Sequence, residues 1–297
     1  MITSTDGVRL AVQEHGDPAN PTLVAIHGYP DNHSIWDGLV PMLTDRFHVV
    51  TYDVRGAGDS DRPAARSAYR IEQLVEDFGA VIDAVSPDAP VHLLAHDWGS
   101  IQIWDALTEE KLAHRVSSFT SISGPSFDHA GVWMRGVFDH PRAALKQFLS
   151  SYYMAIYQLP LLPELIARRG LVDRMVALSS SRGRTERVPA PAVPSPESSS
   201  LIQLYRANLM RRLLRPRPPR VRIPVQVIAP TEDLHVTVGV ALGAPAPYVD
   251  QLQTRTVPGS HWMVRHSPEV IAPLVIEFID TLASDAGRGA ERAPEVS

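Results

Sequence analysis

The chain of 297 residues contains no cysteine. Disulfide frameworks, thiolate catalysis and Cys-based zinc sites are therefore excluded. No uninterrupted apolar run is long enough to span a bilayer. The opening residues, MITSTDGVRLAVQEHG, carry no basic stretch followed by an apolar one, so no secretory signal is visible. A soluble, cytoplasmic protein is the expectation. No histidine pair has the His-Glu-x-x-His spacing that puts two metal ligands on one helix face, and no metal is expected. There is no Gly-x-Ser-x-Gly turn to present a serine nucleophile, and Ser100 falls too late to supply one. No glycine-rich dinucleotide fingerprint occurs, and no cofactor is expected. With a net charge of -5 and a pI near 6.2, no global field favours nucleic acid or an anionic membrane. The one arginine-rich stretch, 211–222, holds Pro216, Pro218 and Pro219 and reads as a hinge.

What is present is ordinary globular material: 44% hydrophobic and 21% charged residues, with mean hydropathy -0.08. Short β-branched runs at 23–26, 48–52, 91–94, 116–122, 225–228 and 252–257 alternate with helical patterns at 71–85, 98–111 and 268–282. That alternation predicts an α/β fold with a mostly parallel sheet covered by helices. Near-continuous apolar strands agree with burial on both faces. The rhythm breaks after Gly124, where helical patterns at 142–157 and 200–214 are divided by the Pro/Ser-rich stretch 188–200, which reads as a mobile loop. Strand pattern resumes at Pro224. The implied organisation is core over 1–124, a helical cap over 125–223, core again over 224–284 and a disordered tail over 285–297.

Four motifs carry chemistry. Ala95-His96-Asp97-Trp98-Gly99 places a carboxylate at a strand-to-helix turn between small residues, the geometry of a nucleophile elbow. Asp before a helix is more often a cap, so the assignment rests on the accompanying set. His27-Gly28-Tyr29-Pro30 follows the 23–26 strand, and the N–H groups of Tyr29 and Trp98 are candidates for an oxyanion hole. His27, Pro30 and Trp262 are candidate substrate contacts. Gly259-Ser260-His261-Trp262 follows the last strand, which makes His261 the best placed of twelve histidines to act as a base. Asp233, in Thr231-Glu232-Asp233, is the candidate to orient His261, with Glu232 as the fallback. The chain order nucleophile, acid, histidine is that of the hydrolase triad.

With these motifs the sequence resembles the epoxide hydrolase branch of the α/β-hydrolase family over nearly all of residues 1–283. HGYPDNHSIWDGLVP, YDVRGAGDSDRP, AHDWGS and GSHW fall in the family's order. The Asp-Trp pair at the elbow is shared mainly with haloalkane dehalogenases. The resemblance implies the α/β-hydrolase fold and two cap tyrosines that hold and protonate the epoxide oxygen. SSYYMAIYQLPLLPE maps the first to Tyr153, with Tyr152 and Tyr157 as competitors, and LIQLYRANLM maps the second to Tyr205. It further implies that Asp97 attacks a ring carbon and that His261 with Asp233 activates the water that cleaves the resulting ester. The substrate is expected to be a small lipophilic epoxide, and water the second reactant. No nucleic-acid partner is expected, and a homodimer is left open. Ala95 stands where Gly is commoner, and His266 where an acid is frequent. Some bacterial relatives are fused to a short-chain dehydrogenase domain. The competing readings are a haloalkane dehalogenase, which often carries Asn where Tyr29 stands, and a catalytically silent protein on the same scaffold.

Overall fold

The computed structural model describes the backbone of residues 1–291 and the side chains of residues 1–285. β1 (Ile2–Thr3) and β2 (Arg9–Leu10) form a small antiparallel ribbon. The main sheet comprises β3 (Val12–His15), β4 (Thr22–Ile26), β5 (His48–Tyr52), β6 (Val91–His96), β7 (Val116–Ile122), β8 (Val221–Pro230) and β9 (Val249–Val257). Their order is β3-β5-β4-β6-β7-β8-β9, and only β3 runs antiparallel to its neighbour.

Every residue of β4 and of β5 is buried, as expected where both sheet faces are covered. The two-residue period of a strand divides them between two cores. Val24, Ile26, Val50 and Tyr52 pack toward the helices Ile71–Val85 and Trp98–Ala106. Leu23, Ala25 and Val49 pack on the opposite face with Ile35, Trp36, Ile271 and Val275.

β5, β7 and the helix Ile71–Val85 coincide with the sequence pattern, whereas β8 and β9 extend further. β3 was not anticipated: a half-exposed edge strand, VQEH, has no apolar run to betray it. The pattern over 98–111 resolves into Trp98–Ala106 and a separate short helix, Glu110–Ala113. There the Thr108 hydroxyl donates to the Asp105 carbonyl and competes with the helical ladder. The pattern over 142–157 likewise divides into Pro141–Ser150 and Tyr152–Ile156. The last helix, Pro268–Glu291, continues into the stretch expected as tail, and residues 292–297 lie outside the described residues.

Between β7 and β8 the chain leaves the sheet for a run of helices from Phe127–Arg135 to Ile202–Leu214. The Pro/Ser-rich stretch within it is pinned at its C-terminal end rather than free. Glu197 and Ser198 are buried. Glu197 accepts from the Gly58 N–H at 2.9 Å, Ser198 donates to Asp173 at 2.9 Å, and Ser200 donates to the Gly56 carbonyl at 2.6 Å. In sequence, serines that bond to backbone look the same as serines that face water.

The loop after β5 that holds Gly56 and Gly58 is itself held by Arg55, whose side chain is fully buried. Its guanidinium donates to Asp77 at 2.5 and 2.6 Å, to Asp6 at 2.8 Å and to the Ala68 carbonyl at 2.9 Å. Asp77→Ala would leave the buried Arg55 cation with only the partly exposed Asp6 as its ion-pair partner. A loss of about 3–5 kcal/mol is expected, read as a lower urea midpoint with unchanged slope; a loss within experimental error would show the pair to be dispensable.

Candidate active site

Loops at the carboxyl ends of β4, β6, β8 and β9 converge on one point, where open α/β sheets place their ligands. Asp97 sits between the end of β6 and the helix Trp98–Ala106 with φ 50° and ψ -122°. Such backbone costs about 1–3 kcal/mol for a residue with a Cβ and persists only where its surroundings enforce it. Here small neighbours close the turn. A Cβ on Gly99 would overlap the carbonyl oxygens of Ile26 and His27, and one on Gly124 would overlap that of Asp97.

The carboxylate of Asp97 makes no capping bond to its own helix. Its Oδ1 instead accepts the Tyr29 N–H at 2.8 Å. A Cβ on Gly28 would lie 2.5 Å from both this oxygen and the Trp98 backbone nitrogen, so glycine is required for the two segments to meet. Oδ2 faces the Nε2 of His261 at 3.6 Å. On the other side of the ring, Nδ1 donates to Asp233 Oδ2 at 2.8 Å. Asp233 is in turn fixed by the N–H groups of His235 and Val236, at 2.7 and 2.9 Å to Oδ1. The His261 carbonyl accepts from His96 Nε2 at 2.9 Å, which anchors the loop from behind. Glu232, the fallback acid, lies against Gly183 of the insertion, where an added Cβ would strike its carboxylate.

Electrostatics make this a charged assembly. Burial opposes ionisation of Asp97, yet the hydrogen bond and charge of His261, with the Tyr29 N–H, hold its carboxyl below the usual range. Burial is likewise outweighed at Asp233, again chiefly by His261. Desolvation works against the His261 imidazolium, but Asp233 and Asp97 together raise it to about 10. The resting state is a cation between two carboxylates.

The insertion closes the site with aromatic residues. Tyr153 and Tyr205 are buried with ring centroids 5.9 Å apart. Burial first, and the nearby Asp97 charge as well, push both phenols well above 10, so each keeps its proton at neutral pH. The competing tyrosines are differently disposed. Tyr152 is exposed. The Tyr157 hydroxyl lies 3.1 Å from that of Tyr29, which also bonds the Ser198 carbonyl at 2.9 Å. A carbonyl only accepts, so Tyr29 donates there and the Tyr157 proton is committed to Tyr29.

Two cavities meet at Asp97, Tyr153, Tyr205 and His235. One, of about 30 Å³, is bounded by His261, Pro30, Trp262 and Tyr29 and has room for about one water. The other, of about 810 Å³, runs between Trp98, Phe127, Phe148, Met154 and Leu213. His27, expected to touch substrate, lines neither. Its Nδ1 is spent on the Gly28 carbonyl and its Nε2 accepts the Val54 N–H, both at 3.0 Å, so it braces the loop. Trp262 is held in place by its indole N–H, which donates to Asp31 at 2.8 Å.

His235 escaped the sequence reading. Two residues past the acid, it packs edge-on against Tyr153, His261 and Trp262, with centroids 5.3, 5.0 and 5.4 Å away. Burial and the His261 cation lower it to about 4, so it is neutral, and its Nε2 has no partner among the described residues. In sequence it was one histidine in twelve; only its place between acid and base could have singled it out.

A family model described as alpha/beta hydrolase fold matches residues 21–263. The chain belongs to that family. It is 37% identical over 298 residues to a Mycobacterium tuberculosis protein named "Probable oxidoreductase EphD", covering 94% of this chain and 49% of that one. It thus spans about half the length of that relative. A Mycobacterium tuberculosis "Epoxide hydrolase A" is 36% identical over 132 residues, which is 44% of this chain and 40% of the other. Among solved structures, a Bacillus megaterium epoxide hydrolase with an inhibitor superposes with TM-score 0.76 at 21% identity, covering 94% of this chain and all of that one (100%). The Vigna radiata epoxide hydrolase VrEH1 gives 0.71 at 21% identity, with 95% and 97% covered. At such identities these two establish the shared hydrolase fold.

Because the folded His261 lies above its unfolded value of 6.5, its ion pairs stabilise the protein fully below pH 6.5, and that contribution fades as pH rises through about 10. The urea-stability gap between wild type and His261→Gln is therefore expected to be level from about pH 5 to 6.5 and to shrink toward pH 10. Asp233→Asn is expected to bring the imidazole ¹⁵N titration down toward neutrality. A wild-type ring titrating near 6.5 would contradict this arrangement.

Proposed function

We propose that the chain hydrolyses epoxides to vicinal diols through a covalent ester on Asp97. The observation that carries the reading is the pairing of an ionised, buried carboxylate with two neutral phenols across the same cavity junction. An epoxide is opened by displacement at sp³ carbon, and it needs a nucleophile that is already anionic together with a proton donor for the departing oxygen. Asp97 supplies the first, and Tyr153 and Tyr205 supply the second.

The two carboxylate oxygens have separate tasks. Oδ1 is engaged by the Tyr29 N–H beside the Trp98 amide. Oδ2 is therefore the attacker: it bonds to a ring carbon, the C–O bond breaks and the alkoxide takes a phenol proton. Esterification removes one of the two anions that hold the proton on His261, so the imidazolium becomes more acidic and can restore the phenol through solvent. Neutral His261, oriented by Asp233, then takes a proton from water as that water attacks the ester carbonyl. The developing oxyanion is Oδ1, which the Tyr29 N–H meets at 2.8 Å, and the Trp98 amide is the candidate second donor. Collapse breaks the bond between the acyl carbon and Oδ2, His261 hands its proton to the departing oxygen, and the diol leaves with Oδ2. The water oxygen completes the carboxyl group, whose proton returns to His261. The helical insertion acts as the cap that brings the phenols and excludes bulk water, and the 810 Å³ chamber suits an apolar epoxide.

One feature favours a haloalkane dehalogenase: the buried indole N–H of Trp98 has no partner among the described residues and could receive a halide. The second donor such an ion needs is missing, because position 29 is a tyrosine whose hydroxyl is turned to Ser198. Neither chemistry calls for the oxidant or reductant that the mycobacterial relative's name suggests.

Single turnover of a small epoxide in ¹⁸O water is expected to label Asp97 before the diol. His261→Gln is expected to trap the ester, a mass adduct on the peptide holding Asp97, whereas Asp97→Ala forms none. Tyr153→Phe and Tyr205→Phe should each slow alkylation by about 10²–10³-fold, the usual loss for one such donor. First-turnover label in the diol alone, or halide release from a haloalkane panel without epoxide turnover, would overturn the proposal.

A further inference from the structure

The modest overall charge conceals a strong division. Residues 125–223 hold sixteen Lys and Arg against six Asp and Glu, a net of +10, so the remainder of the chain carries -15. The same segment is greasy outside. Of the twenty large apolar side chains exposed among the described residues, sixteen lie between Val137 and Leu214.

These two properties coincide at the mouth of the 810 Å³ cavity. Phe148, Leu149, Tyr152 and Met210 line that cavity and yet stand in solvent, Phe148 being 67% exposed. Leu145, on the same helix as Phe148 and Leu149, is also exposed, as is Phe138 just before it at 93%. Arg142 and Lys146 project from that helix into solvent, and Arg135 lines the cavity. Arg142 and Lys146 have no carboxylate within ion-pair distance among the described residues, and the helix Pro141–Ser150 contains no acidic residue. Among the described residues that line the cavity, the only carboxylate is Asp97.

We infer that this cationic, apolar-rimmed face of the insertion docks on the surface of an anionic lipid bilayer. Apolar side chains that enter the headgroup boundary, flanked by basic ones that meet anionic headgroups, are what binding in the plane of a membrane surface requires. A second copy docking by this same face is a poor occupant, because it would bring two faces of the same sign together. A nucleic acid would meet the charge but leave Phe138, Leu145, Phe148 and Leu149 unpaired with anything apolar. Docking turns the cavity mouth toward the bilayer, so a lipophilic substrate passes from lipid to Asp97 without crossing water. That delivery rests on the proposed epoxide chemistry; the docking does not.

The test is co-sedimentation of the whole chain with phosphatidylcholine vesicles and with vesicles of phosphatidylcholine and phosphatidylglycerol in equal parts. Binding to the second only, released by high salt, is expected. Arg142→Glu/Lys146→Glu should lower the partition coefficient by at least about 25-fold, from roughly a five-fold factor per cation lost. Phe138→Glu/Leu145→Glu should also lower it, while turnover of a small water-soluble epoxide and the melting temperature stay unchanged in both. No binding, equal binding to pure phosphatidylcholine, a concentration-dependent dimer abolished by the same variants, or retention on DNA in place of vesicles would each overturn the inference. Intact vesicle binding without any epoxide turnover would instead count against the proposed chemistry alone.

Discussion

The molecule is organised around keeping a carboxylate anionic where water is scarce. Burial by itself pushes the Asp97 carboxyl toward its neutral form. The Tyr29 N–H meets one oxygen and the His261 cation meets the other. Each partner arrives from a different strand, β4 for Tyr29 and β9 for His261, and Asp233 follows β8. A parallel sheet supplies this convergence because the carboxyl ends of neighbouring strands all open on the same side. The left-handed backbone at residue 97 is the local strain that this arrangement carries, and Gly28, Gly99 and Gly124 are the vacancies that let it close.

The aromatic roof depends on the same charge. Tyr153 and Tyr205 keep their protons partly because Asp97 is negative beneath them. His235 stays neutral partly because His261 is positive beside it. An anion, a cation and several neutral donors are thus mutually enforced within one enclosed space. Such coupling makes the protonation state of any one group a property of the set. Consuming the Asp97 charge in a covalent bond would therefore propagate at once to His261 and the phenols.

The core and insertion divide labour by charge as well as by architecture. The acidic core holds Asp97, Asp233 and His261, and the basic insertion brings Tyr153 and Tyr205 and presents an apolar rim. A balanced total of -5 describes neither. Ordinary folding physics does not require sixteen large apolar side chains in solvent over one segment.

Much of the core was legible in the one-dimensional pattern. Buried parallel strands favour β-branched and aromatic residues with small polar ones between, so β5 and β7 announced their own limits, and a carboxylate between small residues at a strand end announced the turn at Asp97. His261 could be chosen from twelve histidines because the topology puts the loop after the last strand beside the elbow. The rest needed three dimensions. Tyr152, Tyr153 and Tyr157 are equivalent in composition, and only the break at Ser151 and the Tyr29–Ser198 bond assign their hydroxyls different fates. His27 appeared a substrate contact until both ring nitrogens were seen spent on backbone, and the serines at 198 and 200 appeared mobile until their acceptors came into view. Residue type sets what a side chain can bond to, but which partner lies within reach is decided by how the chain folds back, as when Tyr29 meets Ser198 and Ser200 meets Gly56.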